Sequence, residues 1–285
     1  MRRISKNVYT EIYFWGCNPS FLTTTDGVFM VDSPQQPLDA MRWREKMQEF
    51  GRIRCLCNTE PHGDHVAGNC YFPGVEVIGQ TGMKERYKAA EAVLSGSERL
   101  ERMKVTDPDS VWLVDHPDYP LNPPTRLFED ELTLHMGNHT IRIMHHPGHT
   151  APQTTVFLPE EGVAIIGDNV FCGCMTFIQE GNPWDWLESL KKIDALDVET
   201  IIPGHGEPVT KSYLPKQAQI IQDWIGLVEG YVRRGLTEEQ AIAEPRPQID
   251  PYPIGQRLFP SAASLPERII VNLYRQIKQR EKAAA

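Results

Sequence analysis

The feature that most constrains the fold of this chain is a series of short apolar segments, each ended by Gly, Pro, Asn or Asp. The 285 residues include 21 glycines and 23 prolines, so long uninterrupted apolar helices are few. Apolar or β-branched runs of about four to eight residues between such breakers are typical of β-strands. These strands do not alternate strictly with helices, as they do in βαβ folds, so the pattern predicts the α+β fold class.

Three closely spaced strands are predicted near the N-terminus, and their short connections favour antiparallel pairing. Their sequences are VYTEIYFW, SFLTTT and GVFMVD. A helix over residues 38–50 follows, then the strands IRCLCNT and VEVIG, and then a helix over residues 81–103 that is broken near Gly96. Residues 106–124 are predicted to form a loop because prolines interrupt them repeatedly.

A second group of strands precedes a helix predicted over residues 184–196, and the short strand TIIPGHG follows that helix. The strands of this group are TRLFED, ELTLHMG, HTIRIMHH, TTVFLP and GVAIIGD. Two groups of strands, each accompanied by helices, predict a layered sandwich. We expect residues 1–210 to form one catalytic domain and residues 211–285, which are patterned as helices, to pack on its core.

Composition and charge narrow the classes of partner. The formal net charge is −9 and no long basic run is present, which argues against a nucleic-acid partner. No apolar run reaches the roughly 18 residues that a transmembrane helix needs, so no membrane association is expected. Thr10 and Glu11 interrupt the first apolar run, which is atypical of a signal peptide. Six cysteines without a secretory signal are expected to be reduced, and the predicted location is the cytoplasm.

One segment, TEPHGDHVAGN, concentrates ionisable side chains at the end of a predicted strand. Residues two apart in an extended chain point the same way, so Glu60 and His62 are expected to project from one face. Asp64 and His65 come one step later, where the chain turns toward a short helix predicted to begin near Val66. This arrangement would direct two pairs of ligands toward two neighbouring metal ions.

Three later strands each end in a single candidate ligand, within a turn that contains Gly or Pro. These residues are His149, Asp168 and His205. Turns of this kind bring the chain to a sheet edge, where loops on a rigid scaffold carry function. Together with the first segment they supply four histidines and three carboxylates, and such mixed ligation suits zinc, iron or manganese.

The order of these residues resembles the metallo-β-lactamase superfamily, whose motif H-x-H-x-D-H precedes a lone His, a bridging Asp and a last His. The resemblance extends from about Asn18 to Val209 and includes the segment FMVDSP, whose Asp32 matches a supporting aspartate. It implies an αββα sandwich with a C-terminal helical extension. The segments GDNVFCGCMTFIQEG and SLKKIDAL also resemble the glyoxalase II branch, although less specifically.

The resemblance implies seven ligands to two divalent metal ions, three at the first, three at the second and one between them: Glu60, His62 and His149; Asp64, His65 and His205; and Asp168. Glu60 departs from the family, which usually has His at this position. Its anionic oxygen favours a harder or redox-active ion, so iron and manganese are alternatives to the expected zinc. The other interpretation of this departure is that the first site is lost and that one metal, or none, is bound.

The resemblance further implies a dinuclear hydrolase that acts on a small ester, thioester, lactone, lactam or related molecule. A hydroxide bridging the two metals would be the nucleophile, and Asp64 would orient it or accept its proton. A small-molecule substrate is therefore the expected partner, and a homodimer is a possible assembly. Two alternatives remain: a non-haem iron enzyme that uses oxygen or reduces a small molecule, as in the flavodiiron proteins, and a non-catalytic binding protein.

Residues after Asp168 bear on the branch and on the walls of the site. Acyl-homoserine lactonases have Tyr three residues after the bridging Asp, whereas this chain has Phe171, which weakens that assignment. Four further residues are candidates for the wall of the site: Cys172, Cys174, Trp184 and Trp186.

Overall fold

A computed structural model describes residues 1–89, 94–252 and 264–284. Its first sheet begins as an antiparallel ribbon and continues as parallel strands. The strands, in both chain order and sheet order, are β1 (Arg2–Arg3), β2 (Val8–Thr10), β3 (Ser20–Thr24), β4 (Gly27–Val31), β5 (Ile53–Cys57), β6 (Glu76–Gln80) and β7 (Arg126–Phe128). The predicted antiparallel pairing of the early strands is confirmed.

The second sheet is antiparallel except for its last pair of strands, which is parallel. Its strands are β8 (Glu131–Met136), β9 (His139–His145), β10 (Thr154–Leu158), β11 (Val163–Phe171) and β12 (Thr200–His205), and they lie in the sheet in that order. The predicted strands TRLFED and ELTLHMG therefore belong to different sheets, although only two residues separate β7 from β8.

The helices among the described residues lie between and after these strands. They are α1 (Pro37–Gln48), α2 (Gly63–Val66), α3 (Met83–Ala89), α4 (Gly96–Thr106), α5 (Pro183–Asp194), α6 (Leu214–Arg233), α7 (Glu238–Ala243) and α8 (Leu265–Ala284). The predicted break near Gly96 agrees with the start of α4, where Gly96 has φ +74°. Part of the helix predicted over residues 81–103 lies outside the described residues, at positions 90–93.

Two local predictions are wrong. The strand predicted to run through VYTEIYFW ends at Thr10, and the chain then bends because the Glu11 carboxylate accepts the Tyr13 backbone N–H. The loop predicted over residues 106–124 contains a 3₁₀ helix, Pro108–Leu113, whose Leu113 side chain packs in a buried cluster with α1.

Three buried clusters show how the layers stack. One joins apolar side chains of the first sheet to those of the second, such as Phe29 and Ile143, so the two sheets pack face to face. Another joins the outer face of the first sheet to α1 through Trp43. The third joins the outer face of the second sheet to α5 through Trp186, and to α6 and α8. Helices on both outer faces of two packed sheets make an αββα sandwich, which confirms the fold implied by the resemblance.

The C-terminal helices are part of the third cluster. Ile221 of α6 and Leu273 of α8 are fully buried there, together with Ile166 of β11. The expectation that residues 211–285 form a segment separate from a domain of residues 1–210 remains a prediction. Among the described helices, none has the length and apolar character required to cross a membrane.

A buried histidine that follows β9 is expected to make the stability of the fold depend on pH. Only 5% of His146 is exposed, its Nδ1 atom lies 3.0 Å from Thr155 Oγ1, and burial lowers its pKa to about 4. Because this pKa lies below that of an unfolded histidine, about 6.5, the folded chain binds fewer protons below that pH. We expect His146 to contribute its full stabilisation above about pH 6.5 and to lose it as the pH falls toward 4, by at most about 1.4 kcal/mol per pH unit.

Urea denaturation of the parent, His146→Gln and His135→Gln at pH 7 and pH 5 measures this contribution. The free energy of unfolding should fall less between the two pH values in His146→Gln than in the parent. The exposed His135 provides the matched control. Equal pH dependence in the parent and in His146→Gln would contradict the assignment.

Candidate metal centre

The seven predicted ligands converge from four separate segments of the chain. Glu60 and His62 lie after β5, Asp64 and His65 lie in α2, His149 follows β9, Asp168 lies in β11, and His205 ends β12. Two details differ from the predictions. The short helix begins at Gly63 instead of near Val66, and β11 continues past Asp168 to Phe171.

The first group of ligand atoms contains Glu60, His62, His149 and Asp168, and these atoms all lie within 4.8 Å of one another. His149 Nε2 lies 3.1 Å from His62 Nδ1, 3.6 Å from Glu60 Oε2 and 3.5 Å from Asp168 Oδ2. Glu60 Oε2 and His62 Nδ1 are closer, at 2.6 Å. The donor atoms therefore face a common point.

The second group contains Asp64, His65 and His205. His205 Nε2 lies 3.3 Å from Asp64 Oδ2 and 3.4 Å from Asp168 Oδ2. His65 Nε2 lies 3.3 Å from Asp168 Oδ1 and 3.8 Å from Asp64 Oδ2. Asp168 thus reaches both groups.

The spacing and burial of these atoms fit divalent cations. Ligand atoms about 2.0–2.2 Å from one tetrahedral ion lie about 3.3–3.6 Å apart, and most of the separations above are close to that range. Among the described residues, buried atoms without a hydrogen bond of acceptable geometry include Glu60 Oε1 and Oε2, His65 Nε2 and Asp168 Oδ1. Buried polar atoms are normally satisfied, so these atoms are suited to coordinate ions.

The charges in the cluster also fit metal binding. Burial alone would lower the pKa of His205, but the Asp168 and Asp64 carboxylates raise it to about 10. Burial would raise the pKa of Asp64, but His65 and His205 lower it to about 2. Protonated imidazoles therefore compensate the carboxylates here, and cations that displaced those protons would take over this role.

Residues around the two groups hold the imidazoles in position. Asp32 Oδ2 lies 2.9 Å from His65 Nδ1 and accepts the Thr59 hydroxyl at 2.6 Å, while Asp32 Oδ1 accepts the Thr59 backbone N–H at 2.7 Å. His149 Nδ1 lies 2.7 Å from the Phe177 carbonyl oxygen. These contacts leave both Nε2 atoms free to face the ligand groups.

We expect Asp32→Asn to weaken metal binding by about 10- to 100-fold, because the amide lacks the charge that orients His65. Asp32 has φ +55°, a conformation that Asn tolerates, so the backbone should be preserved. Chelator competition followed by metal analysis measures the affinity. Asp115→Asn is the matched control, since Asp115 also has a positive φ, +57°, but is exposed and belongs to neither ligand group. Parental affinity in Asp32→Asn would contradict the positioning role.

Glu180 is a site residue that the sequence did not predict. Its Oε2 lies 3.3 Å from His62 Nε2, and its other oxygen pairs with Arg86 of α3. Burial would raise the pKa of Glu180, but His62 and Arg86 lower it to about 2. It lies in the segment between β11 and α5, and no pattern in the adjacent sequence predicts that it contacts a candidate metal ligand.

Aromatic side chains form one wall of the centre. The Phe171 ring stacks on His205 with 5.6 Å between centroids and 4° between planes, and its centroid lies 5.5 Å from that of His149. The ring centroid of the buried Trp186 lies 5.7 Å from that of His149, whereas Trp184 is half-buried and its ring lies 4.2 Å from the Arg280 guanidinium. Cys172 and Cys174, two of the candidates for the wall, belong to neither ligand group. Among the described residues, the histidines outside both groups are His116, His135, His139, His145 and His146.

Comparison with known proteins bears on the family and the fold of this chain. The family model described as the metallo-beta-lactamase superfamily matches residues 12–205. The hydroxyacylglutathione hydrolase of Erythrobacter litoralis is 30% identical over 151 residues, which cover 53% of this chain and 47% of that protein. Acyl-coenzyme A thioesterase MBLAC2 of Gallus gallus is 29% identical over 154 residues, which cover 52% of this chain and 54% of that protein. The chain spans about half the length of these two relatives.

Solved structures show the same fold. A metallo-beta-lactamase family protein from Thermus thermophilus superposes with a TM-score of 0.68 and 16% identity. The match covers 98% of this chain and 94% of that protein. At this identity the similarity concerns the fold, and it includes the C-terminal helices.

Proposed function

We propose that this chain, which belongs to the metallo-β-lactamase superfamily, hydrolyses a small thioester with two divalent metal ions as cofactors. The observation that carries the proposal is the pair of buried ligand groups that meet at Asp168. Two relatives are named for the hydrolysis of a hydroxyacylglutathione and of an acyl-coenzyme A. In both compounds sulfur carries the acyl group, which favours a thioester over an oxygen ester, lactone or lactam.

The proposed ligands are three residues at each ion and one between them: Glu60, His62 and His149; Asp64, His65 and His205; and Asp168. Two divalent ions in these positions would polarise the substrate carbonyl and lower the pKa of a water molecule shared between them. Asp64 is proposed to orient this water or to accept its proton, because its carboxylate is buried in the second group beside His205 and its lowered pKa keeps it ionised as a hydrogen-bond acceptor. Burial of the whole cluster strengthens these electrostatic interactions.

Zinc is the proposed metal, with iron or manganese as alternatives because Glu60 contributes an oxygen where an imidazole nitrogen is usual. The same residue favours the second candidate function, oxidation or reduction of a small molecule at a non-haem iron centre. That candidate requires an electron source, and the hydrolase needs only water. The hydrolase is therefore preferred.

The decisive experiment combines metal analysis with activity. Protein purified without added metal is assayed with an S-acylglutathione, a short-chain acyl-coenzyme A, an oxygen ester, a lactone and a β-lactam, in air and under nitrogen. We expect thioester hydrolysis that does not depend on oxygen, that is lost on chelation and that returns when metal is added. Oxygen consumption without hydrolysis would favour the iron enzyme, and metal-loaded protein inactive in every assay would favour a binding protein.

We also propose a cytoplasmic location, supported by six free cysteines, five of which are buried. Cell fractionation tests it. The homodimer remains a prediction, which light scattering during size-exclusion chromatography would check.

A further inference from the structure

Two carboxylates span both ligand groups in the same way. Asp168 places one oxygen 3.5 Å from His149 Nε2, in the first group, and the other 3.3 Å from His65 Nε2, in the second. Glu60 places Oε2 3.6 Å from His149 Nε2 and Oε1 3.5 Å from His65 Nε2. Each oxygen of Glu60 thus faces the same imidazole as an oxygen of Asp168.

We infer that Glu60 is a second bridging carboxylate, which would give one oxygen to each ion as Asp168 is proposed to do. The inference rests on the proposed dinuclear centre and concerns how this chain's own residues share two ions. It replaces the simpler assignment of Glu60 to the first ion alone.

Burial distinguishes the bridging role from a terminal one. Glu60 is completely buried, and a buried carboxylate without compensation is costly by several kcal/mol. Its Oε2 is close to His62 and His149 of the first group, so one ion there would compensate it. Its Oε1 lies away from that contact and faces His65, so it would stay uncompensated unless a second ion bound it.

The orientation of His65 supports the same conclusion. Asp32 and Thr59 hold the Nδ1 side of this imidazole, so Nε2 is available to the cluster. Glu60 Oε1, Asp168 Oδ1 and Asp64 Oδ2 lie around that nitrogen at 3.5, 3.3 and 3.8 Å. Such separations are close to those between ligands of one tetrahedral ion, about 3.3–3.6 Å.

The substitution of Glu for His then has a chemical consequence. A neutral imidazole presents one nitrogen lone pair to one ion, whereas a carboxylate presents two oxygens and a negative charge. The three carboxylates of the cluster, Glu60, Asp64 and Asp168, would offset most of the charge on two divalent ions. We therefore expect the affinities of the two sites to be coupled through residue 60.

The test measures the binding of each ion separately. Metal-free parent, Glu60→His and Glu60→Gln are titrated with Zn²⁺ by calorimetry, and native mass spectrometry counts zero, one or two ions per chain. The parent should bind two ions. Glu60→His should retain one tightly bound ion at the first ligand group. It should bind the ion of the second group at least about ten-fold more weakly, because that ion loses an oxygen. Glu60→Gln preserves shape, and it should also weaken the second ion.

Two controls calibrate these measurements. His62→Ala removes a residue of the first group only, and Asp64→Asn alters one of the second group only. Circular dichroism identifies any variant that fails to fold. Manganese loading adds an independent readout, because bridged Mn²⁺ ions are magnetically coupled and Glu60→His should change the electron paramagnetic resonance spectrum of that pair.

The outcomes separate this inference from the proposed function. Parental affinity for the ion of the second group in both Glu60 variants would show that Glu60 is a terminal ligand and would overturn the inference. A parent that binds fewer than two ions would overturn it as well. A parent that binds two ions and shows the expected loss, but hydrolyses no thioester, would support the bridge and refute the proposed activity.

Discussion

Asp168→Asn is expected to release both of the proposed metal ions and to reduce the proposed thioester hydrolysis by about 10³-fold or more. Asp168 is within 3.5 Å of His149, His65 and His205, so its charge serves both ligand groups. Polarisation by metal ions supplies several kcal/mol of transition-state stabilisation, and each 1.36 kcal/mol corresponds to a factor of ten in rate. The loss should appear in kcat together with metal content, since the residue acts through the ions.

Asparagine is the appropriate replacement because Asp168 is tightly enclosed. A Cβ atom at Gly204 would approach Asp168 Oδ1 to 1.8 Å, so a larger side chain would disturb the neighbouring strand. Metal content by plasma mass spectrometry and steady-state kinetics give the two readouts. Asp185→Asn, an exposed substitution on α5, is the control. Two ions retained per chain in Asp168→Asn would show that this residue does not bridge them.

Much of the centre was predictable because its ligands come from short motifs at strand ends. The spacing of Glu60, His62, Asp64 and His65 is local, and it places four side chains within six consecutive residues whatever the rest of the chain does. The fold class followed from breaker positions and apolar runs, which reflect local backbone preferences. The assignment of these residues as ligands is still a prediction that metal analysis will test.

Other features depend on contacts between distant residues and were not predictable. Glu180 contacts His62 and Arg86, which are 118 and 94 positions earlier in the chain. No local sequence pattern predicts contacts between residues this far apart. The sheet membership of β7 and β8 is set by which neighbouring strands are available, because strand propensity does not determine the partner. The bridging role inferred for Glu60 depends on the fold, because the fold brings one of its oxygens to His65 and the other to His149.

The last helix, α8, packs in the hydrophobic core and also holds a segment that contacts the candidate metal centre. Asn272 of α8 donates hydrogen bonds to the carbonyl oxygens of Ile178, at 2.7 Å, and Gly181, at 2.9 Å. The segment between those residues contains Glu180, which contacts His62, and it directly follows Phe177, whose carbonyl oxygen is 2.7 Å from His149. Through Asn272, α8 therefore supports the segment that contacts two imidazoles, and none of the described residues of α8 belongs to either ligand group.

Ending the chain before Leu265 is expected to abolish stable folding. The apolar side chains of α8 that are lost from the core are Leu265, Ile269, Ile270, Leu273 and Ile277. Replacing one buried Leu or Ile by Ala costs about 2–5 kcal/mol, so losing all five approaches or exceeds the total stability of a typical domain, about 5–15 kcal/mol. Thermal unfolding and metal analysis measure the result, with Leu273→Ala as a graded variant expected to lose about 2–5 kcal/mol and the exposed Arg268→Ala as its control. A truncated chain that unfolded cooperatively at the parental temperature and bound two ions would show that residues 1–264 do not need this helix.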